Sequence, residues 1–316
     1  MRKKVSVVVP VLNEELGLPT FLRRIRSVFD SCADSVDFEL IFVDDGSSDN
    51  SKGLIRGECA QDPRIVLISL SRNFGHQAAI SAGMDHASGD AIITIDSDLQ
   101  DPPELIPELI SAWLSGNDVV LAKRKVRAGE TKTKLWTAHL FYRTLSSISS
   151  TDLSRDVADF RLLSREVVDV LKSLNESNPY FRGLVNWVGF RQIEIEYDRD
   201  ARFAGDTKYT LRKMMNLAVS GITSFSDKPL YISSVSGFLV MVSAFFAASG
   251  AVIAKALSPE RSVPGYVTIL ICILFLGGLQ LFSTGILGIY LRIVNQNSKG
   301  RPRYIVAKGE SVGLKD

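Results

Sequence analysis

Cysteine is scarce in this sequence: Cys32, Cys59 and Cys272 are the only three in 316 residues. An odd, widely spaced set supports neither a disulfide framework nor a metal-ligand cluster, and it suits a reducing compartment. An excess of charge is missing too. Its 37 basic and 35 acidic side chains leave a net +2, which excludes a dedicated nucleic-acid binder. There is no Gly-x-Gly-x-x-Gly and no Walker lysine loop, so any bound phosphate must be held by a metal ion and basic side chains. Internal repeats, low-complexity tracts and proline-rich linkers are also absent. With 46% hydrophobic residues, the chain has ample material for a core.

The absence that says most is charge along the C-terminal third. Residues 229–254 and 262–291 hold no charged side chain, runs of 26 and 30 residues. At 1.5 Å per residue either helix would exceed the ~30 Å hydrocarbon core of a bilayer. Apolar residues surround these runs without forming a stripe, so two membrane spans are expected at 229–254 and 264–291. A buried hairpin in a soluble core is the alternative. Basic residues flank the pair on its outer sides: Arg212, Lys213 and Lys228 before, Arg292, Lys299, Arg301, Arg303 and Lys308 after. The positive-inside bias therefore predicts both termini in the cytoplasm at the cell membrane, with 292–316 a basic tail. At the N-terminus, Arg2-Lys3-Lys4 and a short apolar run imitate a signal peptide. Pro10 interrupts the run and no cleavage site follows, so a strand is the better reading.

The first 125 residues alternate. Short, β-branched apolar runs at 5–12, 38–43, 65–70, 91–95 and 119–122 read as strands buried on both faces. Helical patterns near 14–31, 49–61, 75–87 and 103–115 separate them. This rhythm predicts an α/β fold with a mostly parallel sheet and helices on both faces, with ligands beyond the carboxyl ends of the strands. Residues 132–150 and 206–228 carry apolar stripes beside Lys and Arg, the pattern of amphipathic helices that lie at a membrane interface, favoured for 206–228, or pack on the sheet, as open a reading for 132–150. The catalytic unit is expected over 1–205.

Acidic residues gather at the predicted strand ends. Asp96-Ser97-Asp98 places two carboxylates two apart, on one side of an extended backbone. Such a pair repels itself unless a hard divalent cation sits beside it, shared with substrate phosphates. Asp101-Pro102-Pro103-Glu104 reads instead as a helix cap, with proline at the first helical position and a capping-box glutamate. Asp44-Asp45-Gly46-Ser47 follows another strand, where one carboxylate can accept from a ribose or base edge.

Together these segments resemble the inverting GT-A glycosyltransferases of family 2, specifically the polyisoprenyl-phosphate hexose transferases. The resemblance rests on Val8 to Glu15, on Val43-Asp44-Asp45-Gly46-Ser47, on Ser71-Arg72-Asn73-Phe74-Gly75, on Asp96 through Glu104, and on Asp159-Phe160-Arg161-Leu162. The two apolar runs extend it over nearly the whole chain. It implies that Pro10, Glu14, Asp44, Arg72 and Asp96 hold the nucleotide. Asp96 and Asp98 would bind Mg²⁺ or Mn²⁺, with Asp98 the direct ligand and Gln100 beside it. Arg124, Arg143, Ser147, Arg202 and Lys208 would grip the donor diphosphate and the lipid phosphate. Asp159 and, more weakly, Asp156 are candidates for a general base or for positioning the sugar. The family's usual Gly-x-Ser-Lys is Gly205-Asp206-Thr207-Lys208 here, which keeps the hydroxyl.

The expected reaction is transfer of one hexose, glucose from UDP-glucose, to a polyisoprenyl phosphate with inversion. Mannosyl and aminoarabinosyl transfer stay open. A processive polysaccharide synthase is disfavoured, because no Glu-Asp dipeptide and no Gln-x-x-Arg-Trp motif occurs. An inactive membrane scaffold would predict broken acidic motifs, and these are intact. Gly277, Gly278, Gly285 and Gly288 would allow close helix packing in a homo-oligomer.

Overall fold

The structure is a computed structural model that describes residues 2–125, 157–174, 176, 179–198, 228–257 and 265–314. Of the predicted amphipathic helices at 132–150 and 206–228, all but Lys228 lie outside the described residues, as do Arg143, Ser147, Asp156, Arg202 and Lys208.

Each expected strand is present. β1 (Lys3–Val11), β2 (Val36–Asp44), β3 (Ile65–Ser69), β4 (Ala91–Thr94) and β5 (Val119–Arg124) alternate with helices α1 (Leu18–Cys32), α2 (Ser51–Gln61), α3 (His76–His86) and α4 (Ile106–Leu114). Two further strands, β6 (Val157–Ser164) and β7 (Gln192–Tyr197), and helices α5 (Arg165–Ser173) and α6 (Phe181–Trp187) complete the sheet region. The seven strands run in the order β3-β2-β1-β4-β6-β5-β7. β6 is antiparallel to both neighbours, and the other pairs are parallel. This is the mostly parallel α/β sheet that the rhythm predicted.

Local sequence explains the layers. β1 buries Val5, Val7, Val8 and Val9 on both faces, as a central parallel strand must. In α1, Leu18, Phe21, Leu22, Ile25, Val28, Phe29 and Cys32 recur at three- and four-residue spacing and all are buried. α3 covers the opposite face, and it packs so closely that a Cβ on Gly83 would lie 2.1 Å from a Val8 methyl carbon.

The chain reverses direction across the sheet at β1: β2 and β3 lie on one side, β4 on the other. β1 and β4 stay paired only as far as Val8 and Thr94. Beyond that point they diverge around Pro10, whose missing N–H costs nothing where no ladder partner faces it. This is the topological switch point, where open α/β sheets leave a crevice.

The two apolar runs form the long helices α7 (Lys228–Leu257) and α8 (Gly265–Ser298). Windows Lys228–Ala247 and Phe275–Ser298 are long and apolar enough to cross a membrane, and neither is buried within the chain. Phe245, Phe246 and Leu281 are each more than two-thirds exposed, so the soluble-core alternative fails. α8 continues past Arg292 because backbone hydrogen bonding does not stop where apolarity does. The segment read as a basic tail then doubles back, and its residues 301–314 lie along the β3 edge.

At the amino end of the sheet, Glu39 on β2 is buried among Lys4, Ser6 and Ser88. Lys4 Nζ donates at 3.0 Å, Ser6 Oγ at 2.7 Å and the Ser88 amide at 3.0 Å. Burial pushes the carboxyl up, but these hydrogen bonds outweigh it and hold it below the usual glutamate value. A depressed folded value means that the stabilisation is present above the unfolded pKa and lost as pH falls through the folded one. Glu39→Ala should therefore cost about 2 kcal/mol at pH 7, and the gap from wild type should narrow below about pH 4. Urea unfolding at both pH values measures it.

Candidate active site

The rim of the crevice is built by two loops laced together. Asn13, in the left-handed region at φ 55°, accepts from the amide of Ser48 at 2.8 Å through its side-chain oxygen. The Asn13, Glu14 and Glu15 amides donate in turn to Ser47 Oγ, Ser51 Oγ and Asp49 Oδ2. The β1–α1 loop carrying Glu14 and the β2–α2 loop carrying Asp44 are thus one unit. Pro10 is buried beside them, its carbonyl accepting from Ser97 Oγ at 3.2 Å. Arg72, in the β3–α3 loop, stacks its guanidinium 4.0 Å from the Phe74 ring centroid.

Asp44 and Asp45 divide. Asp44 is fully buried, and its carboxylate accepts from the Ser47 amide at 3.1 Å and Ser69 Oγ at 3.3 Å. Asp45 points to the other face and accepts from the Phe74 and Gly75 amides at 2.7 and 2.9 Å, fixing the entry to α3. Gly46, directly after them, needs φ +77°, and a Cβ there would meet the Asn73 amide nitrogen at 2.8 Å.

β4 ends at Thr94, and residues 97 and 98 already turn. Strand alternation therefore does not set the direction of Asp98, contrary to the expectation from an extended backbone. Asp98 Oδ1 instead accepts from the Gln100 amide at 3.1 Å, and Leu99 takes a left-handed φ of 61° while staying buried. Such a conformation is held only when its surroundings enforce it.

The capping role expected for Asp101 is a second correction. The 3-10 turn at Pro103–Leu105 has no side-chain cap, and Glu104 pairs with Arg24 on α1. Asp101 is buried, hydrogen-bonded by Tyr197 Oη and 3.3 Å from Arg124 Nη2. Two prolines mimic a capping pattern, but a buried carboxylate takes the strongest donors in reach. Arg124, expected to grip phosphate, thus also holds the end of β5 to β7 through Asp101 and Tyr197.

Asp159 on β6 is the centre of a charge cluster. It is 6% exposed and is bonded by Arg161 Nη2, by Arg182 Nε at 3.2 Å and by Arg182 Nη2 at 2.8 Å. His76 Nε2, in the first turn of α3, stands 3.4 Å from Asp159 Oδ2 and 3.6 Å from Asp96 Oδ1. Burial would raise the Asp159 carboxyl, but His76, Arg161 and Arg182 hold it well below the usual range. The His76 imidazole is pushed down by burial and, more strongly, up by the two aspartates, reaching about 8. Asp96 rises to about 6, through burial and then Asp159, Asp101 and Asp98, with His76 opposing.

His76 and Arg182 were missed by sequence reasoning. His76 directly follows the quoted Asn73-Phe74-Gly75 segment, so its position was available. Arg182 had no signal, because only the packing of α6 against the sheet brings it to β6.

Residues 6–171 match the model of the family described as Glycosyl transferase family 2. The chain belongs to that family. It is a glycosyltransferase. A prophage bactoprenol glucosyl transferase homolog of Escherichia coli (strain K12) is 43% identical over 305 residues, covering 96% of this chain and 99% of that one. The bactoprenol glucosyl transferase of Shigella phage SfV is 43% identical over 303 residues, covering 96% and 98%. The mannosyltransferase PcManGT of Pyrobaculum calidifontis, solved with GDP-Man and Mn²⁺, gives a TM-score of 0.49 at 16% identity, over 94% of this chain and 86% of that one.

A carboxylate kept ionised by two guanidinium groups is a poor proton acceptor near neutral pH. Asp159→Asn should still cut turnover by roughly 100-fold, about 2.7 kcal/mol, by releasing Arg182 and His76. Its residual activity should retain an acid limb, since Asp159 is ionised throughout the working range, but moved to lower pH because Asp159 no longer raises His76 and Asp96. Disappearance of that limb in the variant's pH–rate profile would identify Asp159 as the titrating base.

Proposed function

We propose that this glycosyltransferase moves one hexose, glucose from UDP-glucose, onto a polyisoprenyl phosphate at the cytoplasmic membrane face, inverting the anomeric centre. The observation that carries the reading is the 43% identity to bactoprenol glucosyl transferases, which runs through the acidic crevice and on through both apolar helices. A soluble acceptor would give no reason for two exposed apolar helices on the same chain.

The donor would lie across the switch-point crevice. Its nucleoside would seat against the rim that joins Glu14, Asp44 and Arg72, and its diphosphate would reach Asp96 and Asp98. Among the described residues no cluster of three or more His, Cys, Asp and Glu side chains forms a complete metal cage. Two carboxylates completed by substrate phosphates suit Mg²⁺ or Mn²⁺, which seldom take all their ligands from protein. Burial, with Asp159, Asp101 and Asp98 nearby, raises the proton affinity of Asp96 against the pull of His76, and a divalent cation at this position would offset that repulsion. When bound, the ion would neutralise charge building on the departing diphosphate.

This chain's own residues do the rest. An acceptor phosphate is already ionised near pH 7, so its oxygen can attack the anomeric carbon without a strong base. Asp159 therefore serves as an anchor that aims Arg182 and His76 at the crevice, where their fixed positive charge favours developing negative charge. Arg143, Ser147, Arg202 and Lys208 are proposed to hold the lipid phosphate. The flanking charges support a hairpin with both termini in the cytoplasm.

The purified protein with Mg²⁺ or Mn²⁺, labelled UDP-glucose and undecaprenyl phosphate should give lipid-extractable label, lost in excess chelator. Asp98→Ala should lower that rate at least about 100-fold, some 2.7 kcal/mol of transition-state stabilisation, with an unchanged melting temperature. Label appearing only in water-soluble product would refute the lipid acceptor. Preference for GDP-mannose would overturn the sugar. A cysteine introduced at Ser258 should react with impermeant thiol reagents only from outside the cell.

A further inference from the structure

The C-terminal strap, residues 301–314, returns from the second apolar helix to the edge of the sheet that carries the nucleotide-side rim. Its backbone pairs with β3. The Leu67 amide donates to Val312 at 3.0 Å and the Val312 amide to Leu67 at 2.9 Å, while the Ala307 amide donates to Ser69 and the Ser71 amide to Ile305. Tyr304 Oη reaches Asp85 at 2.8 Å, and Arg303 donates to the carbonyls of Leu174 and Glu176. These contacts close an edge strand that would otherwise present unpaired backbone groups.

Edge closure does not need the Glu310 carboxylate, which goes elsewhere. It forms an ion pair with Lys52 on α2 and stands 3.5 Å from Ser69 Oγ. Its own carbonyl accepts from Arg56 at 2.9 Å. Lys52 Nζ in turn lies 3.6 Å from Asp44 Oδ2. The buried Asp44 is thus enclosed by Ser47, by Ser69 and by a lysine that the strap holds in place. A lysine on a flexible four-carbon stem loses rotamer freedom when it is held over one carboxylate 3.6 Å away. The strap offsets that loss with a second, closer carboxylate.

We infer that Glu310 is a positioning residue of the donor pocket: it holds Lys52 against Asp44 and so fixes the Asp44–Ser47 turn where the donor's nucleoside seats. The inference rests on the proposed use of this rim for the nucleoside. It also gives the strap a second task, because the segment that leaves the membrane helix builds part of the pocket wall. Donor affinity and the anchoring of the hairpin then depend on the same 14 residues.

The full-length protein in bilayer nanodiscs tests it, with calorimetric titration of UDP beside steady-state kinetics. Glu310→Ala should raise the UDP Kd and the KM for nucleotide sugar roughly 3- to 10-fold, the range of a partly exposed ion pair with added hydrogen bonds. The KM for polyprenyl phosphate and kcat should stay within about twofold. Glu310→Gln, which keeps a hydrogen-bonding group, should fall between. Glu310→Ala added to Lys52→Met should bring no further loss, because both act through one link. A lowered melting temperature with unchanged UDP affinity would reduce Glu310 to edge cover and overturn the proposal. Equal losses toward donor and acceptor would do the same. Failure of the wild-type protein to bind UDP at all would instead remove the donor reading on which the proposal stands.

Discussion

A carboxylate taken out of water must be matched by positive charge or hydrogen-bond donors, and the carboxyl end of this sheet buries four of them. Asp44, Asp45, Asp101 and Asp159 are all at most 6% exposed, and each is matched differently. Lys52 and two hydroxyl-bearing residues face Asp44. Backbone amides at the start of α3 meet Asp45, Arg124 with Tyr197 meets Asp101, and two arginines with His76 meet Asp159. These matches tie the end of β2 to α2 and to the start of α3, β5 to β7, and β6 to α6. The same contacts that make the acids tolerable also set the walls of the crevice.

That compensation leaves Asp96 and Asp98 as the acids at the open centre of the site. Asp96 keeps a raised proton affinity because burial, and then Asp159, Asp101 and Asp98, outweigh the opposing His76. The surrounding charges are held in place by these contacts, and fixed charges of this kind are what electrostatic catalysis requires. The compensation also separates roles that the sequence merges. Asp159, expected as a base or a sugar-positioning group, pairs with Arg161 and Arg182, and Asp101, expected as a cap, pairs with Arg124.

Most of the fold was legible in the chain. The β1 to β5 runs declare themselves because strands buried on both faces must be continuously apolar, and Pro19 and the stripe from Leu18 to Cys32 mark α1 in the same way. Long uncharged runs made α7 and α8 visible. β6 and β7 were harder, since β6 carries Asp159 and Arg161 at buried positions and β7 is largely exposed. Neither shows a clean period. The strap was illegible because its pairing is a backbone matter: almost any sequence without proline at the donor positions can lie along a strand edge.

The sequence by itself determined the class of fold, the acidic residues at strand ends, the family likeness and the two apolar helices. Each of these follows from local composition or from spacing along a few residues. Tertiary structure alone decided which charges meet. Arg182 reaches Asp159 across 23 residues, Tyr197 reaches Asp101 across 96, and Glu310 reaches Lys52 across 258. No local pattern encodes such pairs. They are selected when the sheet closes, because a buried carboxylate takes whichever cation or donor the packed helices bring within about 3 Å.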